Sequence, residues 1–303
     1  MTSAPHLLGF AGYRSAIWSV RSLPEAASSA AARAVATAYW RAGSRHIRFA
    51  CTNLAIALPE RSPAEHTAIG RTSFQNFAQS LVDLTRSEHW SLADLLAMHE
   101  FTGQEHLERA LARGRGAIVL TPHMGNFEFG IRALSASGFK VTAVARKARN
   151  PLVDQWLSRR RQEGGAEVID HRGAARQILR ALRGGRIVPL LNDQYVRRHQ
   201  GVWAPFFGLR ASTSPSAAIL SQRSGCPVVP MYTIRVGSDR HRIVISEPID
   251  PPARATDRAA AILDATTRYN ARLEAMIRES PTQWMWGHRR FRHSPDLAHD
   301  PYA

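Results

Sequence analysis

Apolar residues along this chain gather in short runs separated by polar, glycine-bearing turns. The clearest run is Ala117-Ile118-Val119-Leu120, preceded by Arg113-Gly114-Arg115-Gly116 and closed by Pro122. Consecutive apolar residues bounded by turn signals read as a buried strand. Beyond Pro122 the period changes. Phe127, Ile131 and Leu134 recur at helical spacing from Asn126 until Gly138 stops the pattern. His123 therefore sits where a strand hands over to a helix, the edge of an open α/β sheet at which ligands bind.

The same alternation continues downstream. Strands are expected over 140–145, 166–169, 187–191, 228–234 and 241–245. Helices are expected over 151–162 (capped by Asn150), 174–182, 214–224 and 255–278. This order predicts an α/β fold with a mostly parallel or mixed sheet flanked by helices. The last two strands follow each other directly and predict an antiparallel edge.

Upstream the pattern is helical. Residues 7–42 read as one or two weakly amphipathic helices divided at Pro24. Leu7, Leu8, Phe10, Ile17, Trp18, Val20 and Leu23 are interrupted there by Arg14 and Arg21. Such a segment suits a membrane interface and suits packing on a domain equally well. Ser62, Pro63 and Glu65 spell a helix start. Phe74, Phe77, Leu81 and Leu84 then recur on one face, a spacing that reads as core rather than as a lipid groove. Ser91 with Asp94 caps a short helix, and a helix over 105–113 leads into the central strand. The simplest organisation is a membrane-facing amphipathic helical extension over 1–60 and an α/β domain over 61–303.

Composition adds a charge argument. The net charge is +16, and Lys140 and Lys147 are the lysines among 40 basic residues. A strongly basic chain attracts polyanions: nucleic acid, an anionic membrane surface or phosphorylated substrates. Arginine grips phosphate through paired hydrogen bonds, although codon bias accounts for part of the excess. Cys51 and Cys226 lack metal-ligand spacing and read as buried free thiols in a reducing compartment. No metal site or cofactor is expected. No signal-peptide pattern is seen, and no apolar run is long enough to span a bilayer.

The candidate chemistry starts at His123 and Glu128. On one continuous helix this offset would splay the two side chains by about 140°. Across a turn, Glu128 can accept a proton from one ring nitrogen and leave the other as a neutral base, the arrangement that activates a hydroxyl. For a lone His and Glu a solvated turn is the commoner case; the strand before and the helix after shift the balance.

The segment His123-Met124-Gly125-Asn126-Phe127-Glu128 resembles the first motif of the glycerolipid acyltransferase superfamily. More narrowly, it resembles the late (lauroyl/myristoyl) acyltransferases of bacterial lipid A biosynthesis. Further matches span roughly residues 53 to 292. Asn53-Leu54 with Pro59-Glu60 is similar to the family's segment before the first long helix. Arg146-Lys147-Ala148-Arg149-Asn150-Pro151 resembles the second motif, and Leu190-Leu191-Asn192-Asp193-Gln194 resembles its Asp-Gln motif. Gly201-Val202-Trp203-Ala204-Pro205-Phe206-Phe207-Gly208 matches a family loop, and its two Phe and one Trp suit paving an acyl channel, entering the membrane or packing in the core. Thr213 to Pro230 resembles a fourth, scaffold block, and Gln283 to Arg292 the Trp-rich C-terminal signature. Interleaved aromatic and basic residues also occur in nucleic-acid binders, but no nucleic-acid-binding signature accompanies them.

The resemblance implies an acyltransferase that moves a fatty acyl chain from an acyl thioester, on acyl carrier protein or coenzyme A, to a hydroxyl of a lipid A precursor. His123 would be the general base and Glu128 its orienter, with no acyl-enzyme, since no Gly-x-Ser-x-Gly elbow is present. Backbone N–H groups near Gly125 and Asn126 would stabilise the oxyanion. Arg146 and Arg160 would hold phosphate, Arg160 being taken as the inward member of Arg159-Arg160-Arg161. Asp193, Asn126 and Gln194 complete the substrate-binding set, with Asp193 organising an arginine or binding the acceptor hydroxyl. The expected partners are the acyl donor, a phosphorylated glycolipid and an anionic membrane surface. The expected location is the cytoplasmic face of the inner membrane, peripheral or N-terminally anchored. The rival readings are another lipid acceptor, such as a phosphatidylinositol mannoside or an aminolipid, and a non-catalytic membrane-surface protein of the same fold.

Overall fold

The computed structural model describes residues 10, 14–15, 17–148 and 150–303, apart from the side chain of His89. Leu7, Leu8 and Arg149 thus lie outside the described residues. The first half forms helices α1 (Glu25–Arg41), α2 (Arg45–Ala57), α3 (Pro63–Arg86) and α4 (Leu92–Ala97), strand β1 (His99–Thr102), helix α5 (Gln104–Ala112), strand β2 (Ala117–Thr121) and helix α6 (Phe127–Ala136). Next come β3 (Thr142–Ala145), α7 (Pro151–Glu163), β4 (Glu167–Asp170), α8 (Ala175–Arg183) and β5 (Ile187–Leu191). A hairpin of β6 (Val202–Phe206) and β7 (Leu209–Thr213) is followed by α9 (Ser216–Ser224), β8 (Val228–Arg235), β9 (His241–Ile245) and α10 (Arg258–Glu279).

The principal sheet runs β1-β9-β8-β2-β5. A parallel bridge from Val141 to Ile187 joins the β3-β4 pair to β5. All five residues of β2 are buried, as its unbroken apolar run requires. It lies parallel to β8 on one side and β5 on the other. β8 and β9 pair antiparallel, as expected, but β1 covers β9 and is the true edge. The segment His99-Glu100-Phe101-Thr102 carries too little apolar pattern to announce a strand. The β6-β7 hairpin was likewise expected only as a loop. Phe206 and Phe207 are buried against Trp284 and Trp286, so this loop packs in the core.

Two further expectations are corrected. α3 begins with the anticipated capping box of Ser62 and Glu65, but its aromatic stripe is core only at Phe74, which packs against Trp40 and the main core cluster. Its buried positions include the small or polar Gly70, Ser73 and Gln79, while Phe77 and Leu81 are 40% and 51% exposed. The reason is hydrogen bonding. Ser73 Oγ donates to the Trp284 carbonyl at 2.5 Å and Asn76 Nδ2 to the Thr282 carbonyl at 2.9 Å, which fixes the polar face inward. Cys226 is buried as expected, but Cys51 is exposed because Ala50 and Leu54 occupy the inner face of α2. Those α2 residues belong to the same core cluster as Trp284 and Trp286.

Beside α3 the rings of His99 and His241 stack at 5.3 Å, and His241 is fully buried. Burial, then the charges of Arg235 and His99, push His241 down to about 3; burial also lowers His99. Both stay neutral in the fold and take up protons on unfolding below the ordinary histidine value of about 6.5. Stability is therefore full above that value and falls as pH drops towards the folded value. His241 alone should cost about 2 kcal/mol between pH 7 and pH 5. Urea midpoints at the two pH values, for the native chain and His241→Gln, measure it; an equal acid loss in both proteins would refute this assignment.

Candidate active site

The register of β2 against β5 builds the centre of the site. Thr121 pairs with Leu191, so each strand delivers a side chain two residues beyond its end to the same point on the rim. From β2 that residue is His123, and from β5 it is Asp193. His123 Nδ1 lies 2.7 Å from Asp193 Oδ1, and the His123 backbone N–H donates to Oδ2 at 2.8 Å. An ionised carboxylate only accepts, so the ring proton sits on Nδ1 and Nε2 is left as the basic atom. The His123 side chain retains 22% exposure, while Asp193 has none. Trp284 Nε1 donates to Asp193 Oδ2 at 2.7 Å and completes the carboxylate's surroundings. The signature Trp284-Met285-Trp286 thus serves the site from below, and Met285 N–H donates to the His123 carbonyl at 3.0 Å.

These contacts set the electrostatics. Burial by itself would raise the Asp193 pKa. The charge and hydrogen bonds of His123 outweigh it and hold the carboxyl below the usual aspartate range. Burial by itself would lower His123, but the Asp193 charge and hydrogen bond, with a smaller contribution from Glu128, raise it. Nearby His288 is pushed down to about 4 by burial, and stays neutral.

The turn that carries His123 requires glycine. Gly125 has φ of +55°, and a Cβ there would overlap the Thr233 carbonyl of β8. Asn126 caps α6, its side chain accepting from the Phe129 N–H at 3.3 Å, and it is buried. The Gly125 N–H donates to the Gln283 carbonyl at 2.9 Å. It is therefore engaged within the fold, contrary to its expected place in an oxyanion hole.

The profile of the bacterial lipid A biosynthesis acyltransferases matches residues 4–293 of this chain. The chain belongs to that family. Relatives include the lipid A biosynthesis palmitoleoyltransferase of Escherichia coli K12, 25% identical over 245 residues, which cover 80% of this chain and 78% of the relative. The lauroyltransferase of the same organism is 25% identical over 255 residues, covering 83% and 81%. Its myristoyltransferase is 26% identical over 249 residues, covering 81% and 75%. The protein is an acyltransferase, and the sequence resemblance to this family holds across nearly its whole length.

Family membership does not fix where each side chain points. Glu128, in the first turn of α6, is engaged by Arg161: Nε donates to Oε2 at 3.0 Å and Nη2 to Oε1 at 2.5 Å. Burial would lower the Arg161 pKa, but the hydrogen bonds and charge of Glu128 raise it. The orienting bond to His123 expected of Glu128 is instead made by Asp193. Both residues follow strands ending on the same rim, whereas Glu128 lies further on, inside α6. Arg160, expected to face the site, donates instead to the Glu88 carbonyl at 2.6 Å, and Arg161 is the member of the triplet that meets Glu128. Adjacent helical positions differ by about 100°, so neighbouring arginines of one helix reach different partners. Arg146 stands at the end of β3 on the same rim and is exposed. Gln194 Nε2 approaches Met285 Sδ at 3.9 Å. The roles of Trp284 and Arg161 carried no signal in linear spacing, since each depends on a contact between distant elements.

Proposed function

We propose that this acyltransferase moves a fatty acyl chain from an acyl thioester, on a carrier protein or coenzyme A, to a hydroxyl of a lipid A precursor. The observation that carries the mechanism is the pair of hydrogen bonds that Asp193 accepts from the ring and the backbone N–H of His123. His123 Nε2 removes the proton of the acceptor hydroxyl as its oxygen attacks the thioester carbonyl. Asp193 stabilises the imidazolium that forms. The carbon–sulfur bond then breaks, the leaving thiolate takes the proton from Nε2, and an ester and a free thiol result. No enzyme-bound acyl group is needed. Glu128 acts through its pair with Arg161, which fixes the first turn of α6 beside the base and adds negative charge near the imidazolium. Arg146, exposed at the rim, is the candidate for gripping an acceptor phosphate.

The decisive experiment is lipid mass spectrometry of a deletion strain, complemented by the native chain. One lipid A species lacking a single secondary acyl chain, restored on complementation, is the expected result. An unchanged lipid A together with an altered different lipid would move the acceptor to another class.

The N-terminal region is proposed to face an anionic membrane surface. No helix of the described residues is long and apolar enough to cross a membrane. Trp18 is 70% exposed and the chain carries +16, so attachment should be electrostatic and interfacial. High-salt washing should release most of the protein from membranes; release by detergent alone would contradict this mode of attachment.

A further inference from the structure

Of the described aspartates, glutamates, lysines and arginines, Asp193 and Arg290 are the ones with no exposed surface. Asp193 is the carboxylate of the site. Arg290 lies in the Trp-rich C-terminal signature, beside the exposed Arg289. Its Nη1 donates to the Ser212 carbonyl at 2.9 Å and its Nη2 to Thr213 Oγ1 at 2.7 Å, both uncharged acceptors on β7. The guanidinium carbon stands 4.4 Å from the centre of the Phe206 ring. Among the described residues no carboxylate comes within ion-pairing distance of it. A fully buried cation without an ion pair is costly unless an opposite charge lies nearby.

Asp193 has the complementary problem. His123 must be neutral to accept a proton. In that state the buried carboxylate keeps three hydrogen bonds, from the His123 ring, the His123 backbone and Trp284 Nε1, but touches no cation. The two charges stand on either side of rings that contact each other. Trp284, bonded to Asp193, meets Phe206 at 6.1 Å, and Phe206 lies against Arg290. Both rings are fully buried, so little water screens the attraction. The signature is pinned between its ends, where Asn53 Nδ2 donates to the Trp286 and His288 carbonyls at 2.6 Å. Burial lowers the Arg290 pKa to about 10; the charge of Asp193 opposes this most, ahead of Tyr302 and Glu274. Arg290 is therefore charged at neutral pH. The other titratable groups facing the pair are the neutral His288 and, near His123, Glu128, which is held by Arg161.

We infer that Arg290 is the counter-ion of Asp193, a positioning residue that keeps this carboxylate ionised while His123 is neutral and so keeps the ring proton on Nδ1. This rests on the proposed role of His123 as the base. With Arg290 in place, proton uptake by the His123–Asp193 pair adds a second positive charge to a buried region and is opposed. Without it, proton uptake neutralises a lone buried anion and is favoured. Arg290 thus holds the base free at lower pH than Asp193 alone would allow.

The test uses the full chain. Arg290→Met removes the charge and should move the titration of His123 up by about one pH unit. The readout is ¹⁵N NMR of labelled histidine, with the His123 signal assigned by its loss in His123→Ala. Arg290→Lys keeps the charge without the fork and should titrate as the native chain does. Thr213→Val removes one hydrogen bond to Arg290 and keeps the charge; it should lower the urea midpoint and leave the titration in place. A titration unmoved in Arg290→Met, or moved equally by Arg290→Lys or Thr213→Val, would overturn the assignment and leave Arg290 a tie between β7 and the signature. A double-mutant cycle covers poor folding. If the charges are coupled, Arg290→Met should lower the urea midpoint much less in the Asp193→Asn background, and an Arg290→Met chain that does not fold alone should be rescued there. Equal loss in both backgrounds, or no rescue, would refute the pairing. Neither readout requires acyl transfer. A coupled pair in an enzyme whose kcat/KM ignores the titration of His123 would uphold the counter-ion and refute His123 as the base.

Discussion

The His123→Ala protein is expected to fold and bind membranes normally while its kcat falls by about 10²–10⁴, the usual contribution of a general base. The fold should survive because the His123 side chain is partly exposed and the backbone bond to Asp193 does not need the ring. The remaining activity would come from holding donor and acceptor together. The pH profile carries the sharper information. In the native chain kcat/KM should rise through an apparent pKa above the ordinary histidine value of about 6.5, because His123 must be neutral to accept a proton and Asp193 favours its charged form. His123→Ala should abolish that limb. Turnover by the alanine protein within a fewfold of native, with the same pH limb, would remove His123 from the mechanism.

Asp193→Asn should cost about 10³–10⁴ in kcat, as the loss of the orienting carboxylate does in the Ser-His-Asp template. Asp193 accepts from the His123 N–H, from His123 Nδ1 and from Trp284 Nε1, and is fully buried. An amide offers one acceptor oxygen and brings two donors of its own. Either an N–H faces another N–H, or the imidazole changes tautomer and points a proton at the acceptor hydroxyl. The first outcome leaves a buried polar group unsatisfied at about 1–3 kcal/mol, and the second removes the base. The acid limb of the residual activity should also move to lower pH, because the charge that raised His123 is gone. Near-native activity with an unmoved limb would assign the proton-accepting step to another residue.

The same pair links stability to pH in two directions. Asp193, with its folded pKa lowered, contributes stability above the ordinary aspartate value, and this is lost as pH falls through the folded value. His123, with its folded pKa raised, contributes stability that is complete below about 6.5 and is lost as pH rises through the folded value. Activity should thus increase across the interval in which this contribution to stability declines.

Much of the scaffold was legible in the linear pattern because its causes are local. An unbroken apolar run bounded by glycine and proline made β2 a buried strand, and Ser62 with Glu65 fixed the start of α3 within the first turn. Alternating periods made the sheet largely parallel, and His123 fell at its edge because a turn must follow the strand. Partner choice was decided elsewhere. His123 is joined to Asp193, seventy positions away, because β2 and β5 are adjacent and in register. Glu128, five positions away, turns instead to Arg161 because α6 and α7 bring them together. Phe77 and Leu81 on α3 face outwards rather than into the core because side-chain hydrogen bonds to the 282–284 backbone turn the polar face inward. Sequence spacing determines which residues share a face or a turn. Which of two nearby carboxylates reaches a base depends on the packing of elements far apart in the chain, and only the tertiary structure supplies that.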